Sequence, residues 1–149
     1  MAFYSGAIAI TAPSTTDDNW ALTAGASKSG KIYEVTWGGE STTSTAMRTR
    51  VARSSGQTGA ATAITTAQLH PNSPAKGFGL ASTFATTQPS LDGGDLLHLS
   101  WNSHGGVVRF LAAPGEEFVL IGAATELCIS CRNAVGSGTS TYGLIWAED

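Results

Sequence analysis

Cys128 and Cys131 stand in a CxxC spacing inside the run Glu-Leu-Cys-Ile-Ser-Cys-Arg, a pattern shared by zinc half-sites and redox pairs. Zinc needs four ligands, and neither a second CxxC nor a paired histidine follows. A redox pair needs a helix N-terminus to lower a thiol pKa, whereas these flanks alternate as a strand does. Residues three apart on a strand point to opposite faces, roughly 10 Å from each other, too far for a bond. The pair is expected as two free thiols in a β-core.

Gly25-Ala26-Ser27-Lys28-Ser29-Gly30-Lys31 matches GxxxxGK, most of a phosphate-binding loop. The following position should be Ser or Thr to hold magnesium, and it is Ile32. Such a loop must also open a helix whose N-terminus holds the phosphates, and the residues after Lys31 read as a strand. A turn entering a strand is the expectation. The three histidines, His70, His98 and His104, lack the paired spacing and nearby carboxylate that a jelly-roll metal enzyme would use. No GxSxG elbow is present. Glu116-Glu117 and Asp17-Asp18 read as solvated or capping turn residues. The expectation is therefore no enzyme, no metal and no cofactor.

The elements that would position any site are strands. Ile32–Trp37 alternates with Tyr33, Val35 and Trp37 on one face. Met47–Arg53 sets Met47, Thr49 and Val51 together, opposite Arg48 and Arg50. Leu96–Trp101 groups Leu97, Leu99 and Trp101. Glu126–Arg132 groups Leu127, Ile129 and Cys131, and Ser140–Ala147 groups Tyr142, Leu144 and Trp146. Val107–Ala112 and Phe118–Gly122 are further strands; Ala61–Leu69 and Phe78–Thr87 are softer ones. Gly38-Gly39, Gly93-Gly94, Gly105-Gly106 and Pro114-Gly115 punctuate them. The segment Leu69–Pro74 is a rigid loop, because each proline biases its predecessor away from helix. Trp37, Leu99, Trp101, Phe110, Leu120, Ile129 and Leu144 are the expected core.

The 149 residues suit one domain, and only 13% are charged, about half the usual share. The chain carries a formal charge of −3, and Arg48, Arg50 and Arg53 are its one basic cluster. Phosphate binding needs several cations on one face, so nucleic acid is not expected as a partner. No apolar run approaches the 18 or so residues of a membrane span. The start, Met1 to Ala12, has no positively charged n-region and reads as mature protein. The fold expected is an all-β jelly-roll sandwich of about eight strands, one domain over 1–149, with residues 1–19 an N-terminal arm or an edge strand.

The second half carries a resemblance. Leu97-His98-Leu99-Ser100-Trp101 precedes the turn Asn102–Gly106 and Val107-Val108-Arg109-Phe110; Pro114-Gly115-Glu116-Glu117 and the strand Phe118–Gly122 follow; the chain closes with Tyr142-Gly143-Leu144-Ile145-Trp146-Ala147-Glu148-Asp149. This order, with Lys31–Trp37 and Arg48–Arg53 before it, resembles the small jelly-roll decoration, or cement, proteins of tailed bacteriophages over residues 30–149. The resemblance implies a structural virion protein that binds the major capsid protein on the outer capsid surface as a homotrimer, made in the host cytoplasm, and ties capsomers together.

A carbohydrate- or receptor-binding jelly-roll head of a phage fibre is the alternative, in which Trp20, Trp37, Trp101 or Trp146 would stack on sugar. The candidate capsid or subunit contacts are Phe3, Tyr4, Ile8, Ile10 and Trp20. Two readings of the N-terminal segment stay open. It is the first strand of the barrel, or an arm that reaches a neighbour by strand addition with aromatic anchors.

Overall fold

A computed structural model describes residues 1–10, 18–55, 62–82, 90–122, 128–135 and 138–149, with the backbone alone at 55, 90–93 and 128–135. Twelve strands form: β1 (Ala2–Ile10), β2 (Asp18–Thr23), β3 (Ser29–Glu40), β4 (Ala46–Ser55), β5 (Thr62–Ala63), β6 (Thr66–Gln68), β7 (Gly79–Ser82), β8 (Ser90–Asn102), β9 (His104–Leu111), β10 (Phe118–Ile121), β11 (Cys128–Val135) and β12 (Ser140–Glu148). No helix occurs among the described residues. The chain is all-β, as its alternating apolar runs predict. The count exceeds the expected eight by four short strands of two to four residues, β5, β6 and β7 between β4 and β8, and β10 after β9.

Two antiparallel sheets of six strands result. The first runs β10-β3-β12-β1-β6, with β9 also on β3; the second runs β5-β7-β2-β11-β4-β8. β9 and β10 share one side of β3: β9 pairs with Glu34–Glu40 and β10 with Ser29–Ile32. The chain changes sheet at every step from β1 to β4, again on entering and leaving β6, between β8 and β9, and at both ends of β11.

One core joins the two sheets. Tyr142, Leu144 and Trp146 of β12 point into it, as do Met47 and Val51 of β4 and Trp20 and Leu22 of β2. Tyr142 meets Trp101 edge-on at 6.5 Å, linking one sheet to the other, and Tyr4 stacks on Trp146 at 5.8 Å. Such pairs add to the area they bury because the ring edge and face carry opposite partial charge. Trp101 Nε1 donates to Thr49 Oγ1 at 3.0 Å, so its buried N–H is satisfied.

Of the expected core, Trp37, Trp101, Leu120 and Leu144 are buried, and Leu99 and Phe110 are half-buried against the same cluster. Ile129 falls outside the described side chains. Tyr33 is a correction: Ile32, Val35 and Trp37 face inward in its place. The β3–β12 register explains this, since Ile145 pairs with Glu34 but Trp146 with Ile32. Tyr33 is the extra residue of a β-bulge, which flips the alternation around it.

The chemical motifs resolve into strand and turn. Cys128 and Cys131 lie on β11, so the CxxC spacing occupies a strand. The GxxxxGK run is a turn, closed by Lys28 N–H donating to the Gly25 carbonyl at 3.1 Å, and it feeds directly into β3. Between β8 and β9 the turn is tighter than expected, with Ser103 alone between the strands. Gly105 there takes φ +70°, a conformation that favours glycine.

Candidate functional site

The sheet β10/β9-β3-β12-β1-β6 presents an outward face whose residues align in cross-strand rows. Val107, Gly38, Thr141 and Ala9 form one row; Arg109, Thr36, Gly143 and Ala7 form the next. Leu111, Glu34, Ile145, Ser5 and Ala67 form a third, and Val119, Lys31, Ala147 and Phe3 a fourth. Alternation dictates this: the residues between them on each strand are used by the core.

The middle of the face is built from residues with little or no side chain. Gly143, Ala7 and Thr36 floor an open depression of about 420 Å³, which adjoins a second of about 250 Å³ bounded by Val107. A Cβ at Gly143 would collide with Thr36 Oγ1, so glycine is what allows these strands their side-chain packing. Larger apolar side chains stand at the margins. Val107 and Leu111 on β9 are 76% and 61% exposed, and Val119 and Ile121 on β10 are exposed too. Leu69, just after β6, and Met1, just before β1, complete the exposed large hydrophobics among the described residues. All of them belong to this sheet or flank it. Scattered exposed apolar residues are ordinary, but a concentration on one face marks an interaction surface.

The charges of the face are already matched within the chain. Arg109 donates from Nε and Nη2 to both carboxylate oxygens of Glu34, at 2.6 and 2.7 Å. This fork raises the guanidinium pKa above its ordinary value, so it stays charged. Lys31 lies 3.6 Å from Glu117. The Gly115 N–H and then Glu117's own N–H hold the Glu117 carboxyl below its usual range, and Lys31 adds to the effect.

On the opposite sheet, the described outward residues Arg48, Arg50, His98 and Ser100 of β4 and β8 are polar. Arg48 and Ser100 are exposed on β4 and β8. Arg50 and His98 lie 3.8 and 3.6 Å from the two carboxylate oxygens of Asp95. Arg53, the third member of the basic cluster, is turned to the other sheet, where its Nη1 donates to the Val119 carbonyl at 2.8 Å. Among the described residues no three His, Cys, Asp or Glu side chains come together as a metal would require.

No family model, curated protein or solved structure matches this chain.

The expected contact residues divide. Phe3 lies on the outward face, half-buried between Tyr33 at 5.4 Å and His70 at 5.9 Å. Tyr4 and Trp20 are corrections: they are 1% and 2% exposed and belong to the core. Ile8 and Ile10 pack against that core from its margin. Of the two readings left open for the N-terminal segment, the pairing over Ala2–Ile10 is that of a strand of the sandwich: β1 pairs with β12 from Ala2↔Glu148 to Ile10↔Ser140 and with β6 on its other side. Asp18, expected as a solvated or capping turn residue, is instead buried with Asn19 at the start of β2. Asp17 lies outside the described residues. The four tryptophans are all buried, so none is placed to stack on a sugar.

Sequence reasoning missed Val107, Leu111, Val119 and Ile121. Their signal is the two-sided apolarity of β9 and β10: Val108, Phe110, Phe118 and Leu120 supply the inward face, leaving these four for the other.

Proposed function

We propose that this chain is a structural virion protein, a capsid decoration or cement protein that binds the outer shell as a homotrimer and stabilises capsomer contacts. The observation that carries the reading is an asymmetry among the described residues: one exterior pairs its Arg109 and Lys31 internally and gathers the exposed large apolar side chains, while the outward residues of β4 and β8 on the other sheet are polar. Such a face suits packing against protein. Three copies joined in one particle would hold a shell by avidity, since each further contact forms at high effective concentration.

The strand order supports the jelly-roll part of the reading. Without the short strands, one sheet runs β1-β12-β3-β9 and the other β2-β11-β4-β8, the arrangement of two Greek keys folded over each other. We read the sandwich as a jelly roll on that ground, and the sequence resemblance to phage decoration proteins as its functional counterpart.

Co-sedimentation with expanded capsid shells tests the proposal. Purified protein mixed with undecorated shells should pellet with them to a saturating level in multiples of three. Protein that stays in the supernatant at micromolar concentrations would contradict it.

A further inference from the structure

We infer that copies of this chain meet through the outward face of the β9/β10-β3-β12-β1 sheet, the raised β9 margin of one copy seating in the depression over Gly143 of the next. This rests on the homotrimer reading and names the surface that would build it.

The dimensions admit a second copy. Four strand positions at about 4.8 Å, β9 and β10 sharing one, and four rows at about 6.8 Å give a face on the order of 520 Å² before side-chain relief, somewhat below the ~800 Å² per partner of a standard protein interface. The relief itself is complementary. Val107 and Leu111 project from one margin, and the floor beside them at Ala7, Thr36 and Gly143 is hollow.

Charge points to the same occupant. Burying a lone ion against another protein costs several kcal/mol unless the partner supplies its counter-ion. Here Arg109 and Glu34 neutralise each other, and Lys31 is matched by Glu117. The face therefore requires no opposite charge from what covers it, and a copy of itself is such a partner. The projecting margin and the hollow floor are different patches. Contact of one with the other is head-to-tail, and such contacts close into rings when the rotation allows.

The test is light scattering across a dilution series of the full chain, with far-UV circular dichroism and a melting curve on each variant. Val107→Glu alters the projecting margin and Ala7→Glu the floor; both positions are exposed. Ser100→Glu, exposed on the opposite sheet, is the control. Each face variant should stay folded while its assembly weakens on the order of 30-fold or more, and the control should assemble as the parent does.

Folded face variants that assemble like the parent would overturn the inference and leave the trimer reading intact. If those variants still assemble but no longer pellet with shells, the face docks on the shell, and the inference is equally overturned. A parent protein that is monomeric at every concentration yet pellets with shells would also overturn it while sparing the decoration role. A monomer that ignores shells would end both.

Discussion

Arg109 on β9 stands opposite Thr36 but reaches diagonally to Glu34, where its guanidinium engages both carboxylate oxygens at 2.6 and 2.7 Å. The pair is the electrostatic centre of the outward face. Arg109 is well exposed, and exposed ion pairs add little to folding. Arg109→Ala should therefore leave the melting temperature nearly unchanged. It should still weaken self-association, because Glu34 would then face a partner as an uncompensated anion. Arg109→Gln combined with Glu34→Gln should restore part of the loss. Light scattering reads assembly and a thermal melt reads stability; a large drop in melting temperature would make the pair a folding element instead.

Glu148 is a different kind of carboxylate. It is buried near the chain end and accepts from Gly77 N–H at 2.5 Å, Phe78 N–H at 3.1 Å and Trp146 Nε1 at 2.9 Å. It thus ties the loop before β7 to β12. Beside it, Tyr4 donates to the Pro74 carbonyl at 2.6 Å, and burial, with Glu148 adding, raises the pKa of that phenol. Glu148→Ala would orphan buried donors and should cost about 2–3 kcal/mol in urea unfolding. A loss below about 0.5 kcal/mol would contradict this role.

Glu117 gives a pH dependence with a defined sign. Its carboxyl pKa is lowered in the folded protein by the Gly115 N–H and its own N–H, with Lys31 contributing. The unfolded chain therefore takes up a proton first as pH falls. The stabilisation is fully present above the ordinary carboxylate pKa and disappears as pH drops through the folded value. Glu117→Gln should lower the melting temperature modestly at neutral pH, where the charge-dependent stabilisation is lost, and flatten the acid limb so that variant and parent converge at low pH. An unchanged acid limb would count against it.

β1 is an integral strand, and its removal should show that. Deleting Met1–Ile10 takes away the partner of β12 along Ala2–Ile10 and the ring stacked on Trp146. The truncated chain should lose its cooperative melt. A truncated protein that melts near the parent temperature would return the segment to an arm.

Most of the sandwich was legible where one side of a strand faces water. β4 and β12 alternate cleanly, and their inward residues were read correctly, because a period of two is the direct consequence of the pleat. β2 gives no such signal: Asp18 to Leu22 is buried on both faces, so no alternation marks Trp20 as core and it stands among the candidate contacts. β1 is dominated by small residues, and only its pairing reveals it as a strand of the sandwich. The bulge at Tyr33 defeated a periodic reading of β3, since one inserted residue moves a side chain to the other face. The outward face was the least legible part. Gly143, Ala7 and Thr36 lie far apart in sequence, and only antiparallel register places them side by side.

A three-dimensional reconstruction of capsid shells incubated with the purified protein tests the central claim most directly. The account predicts three-lobed density on the outer surface at the three-fold and quasi-three-fold positions, each lobe fitted by one copy of the sandwich. Shells that show no added density, or single copies bound at other positions, would contradict it.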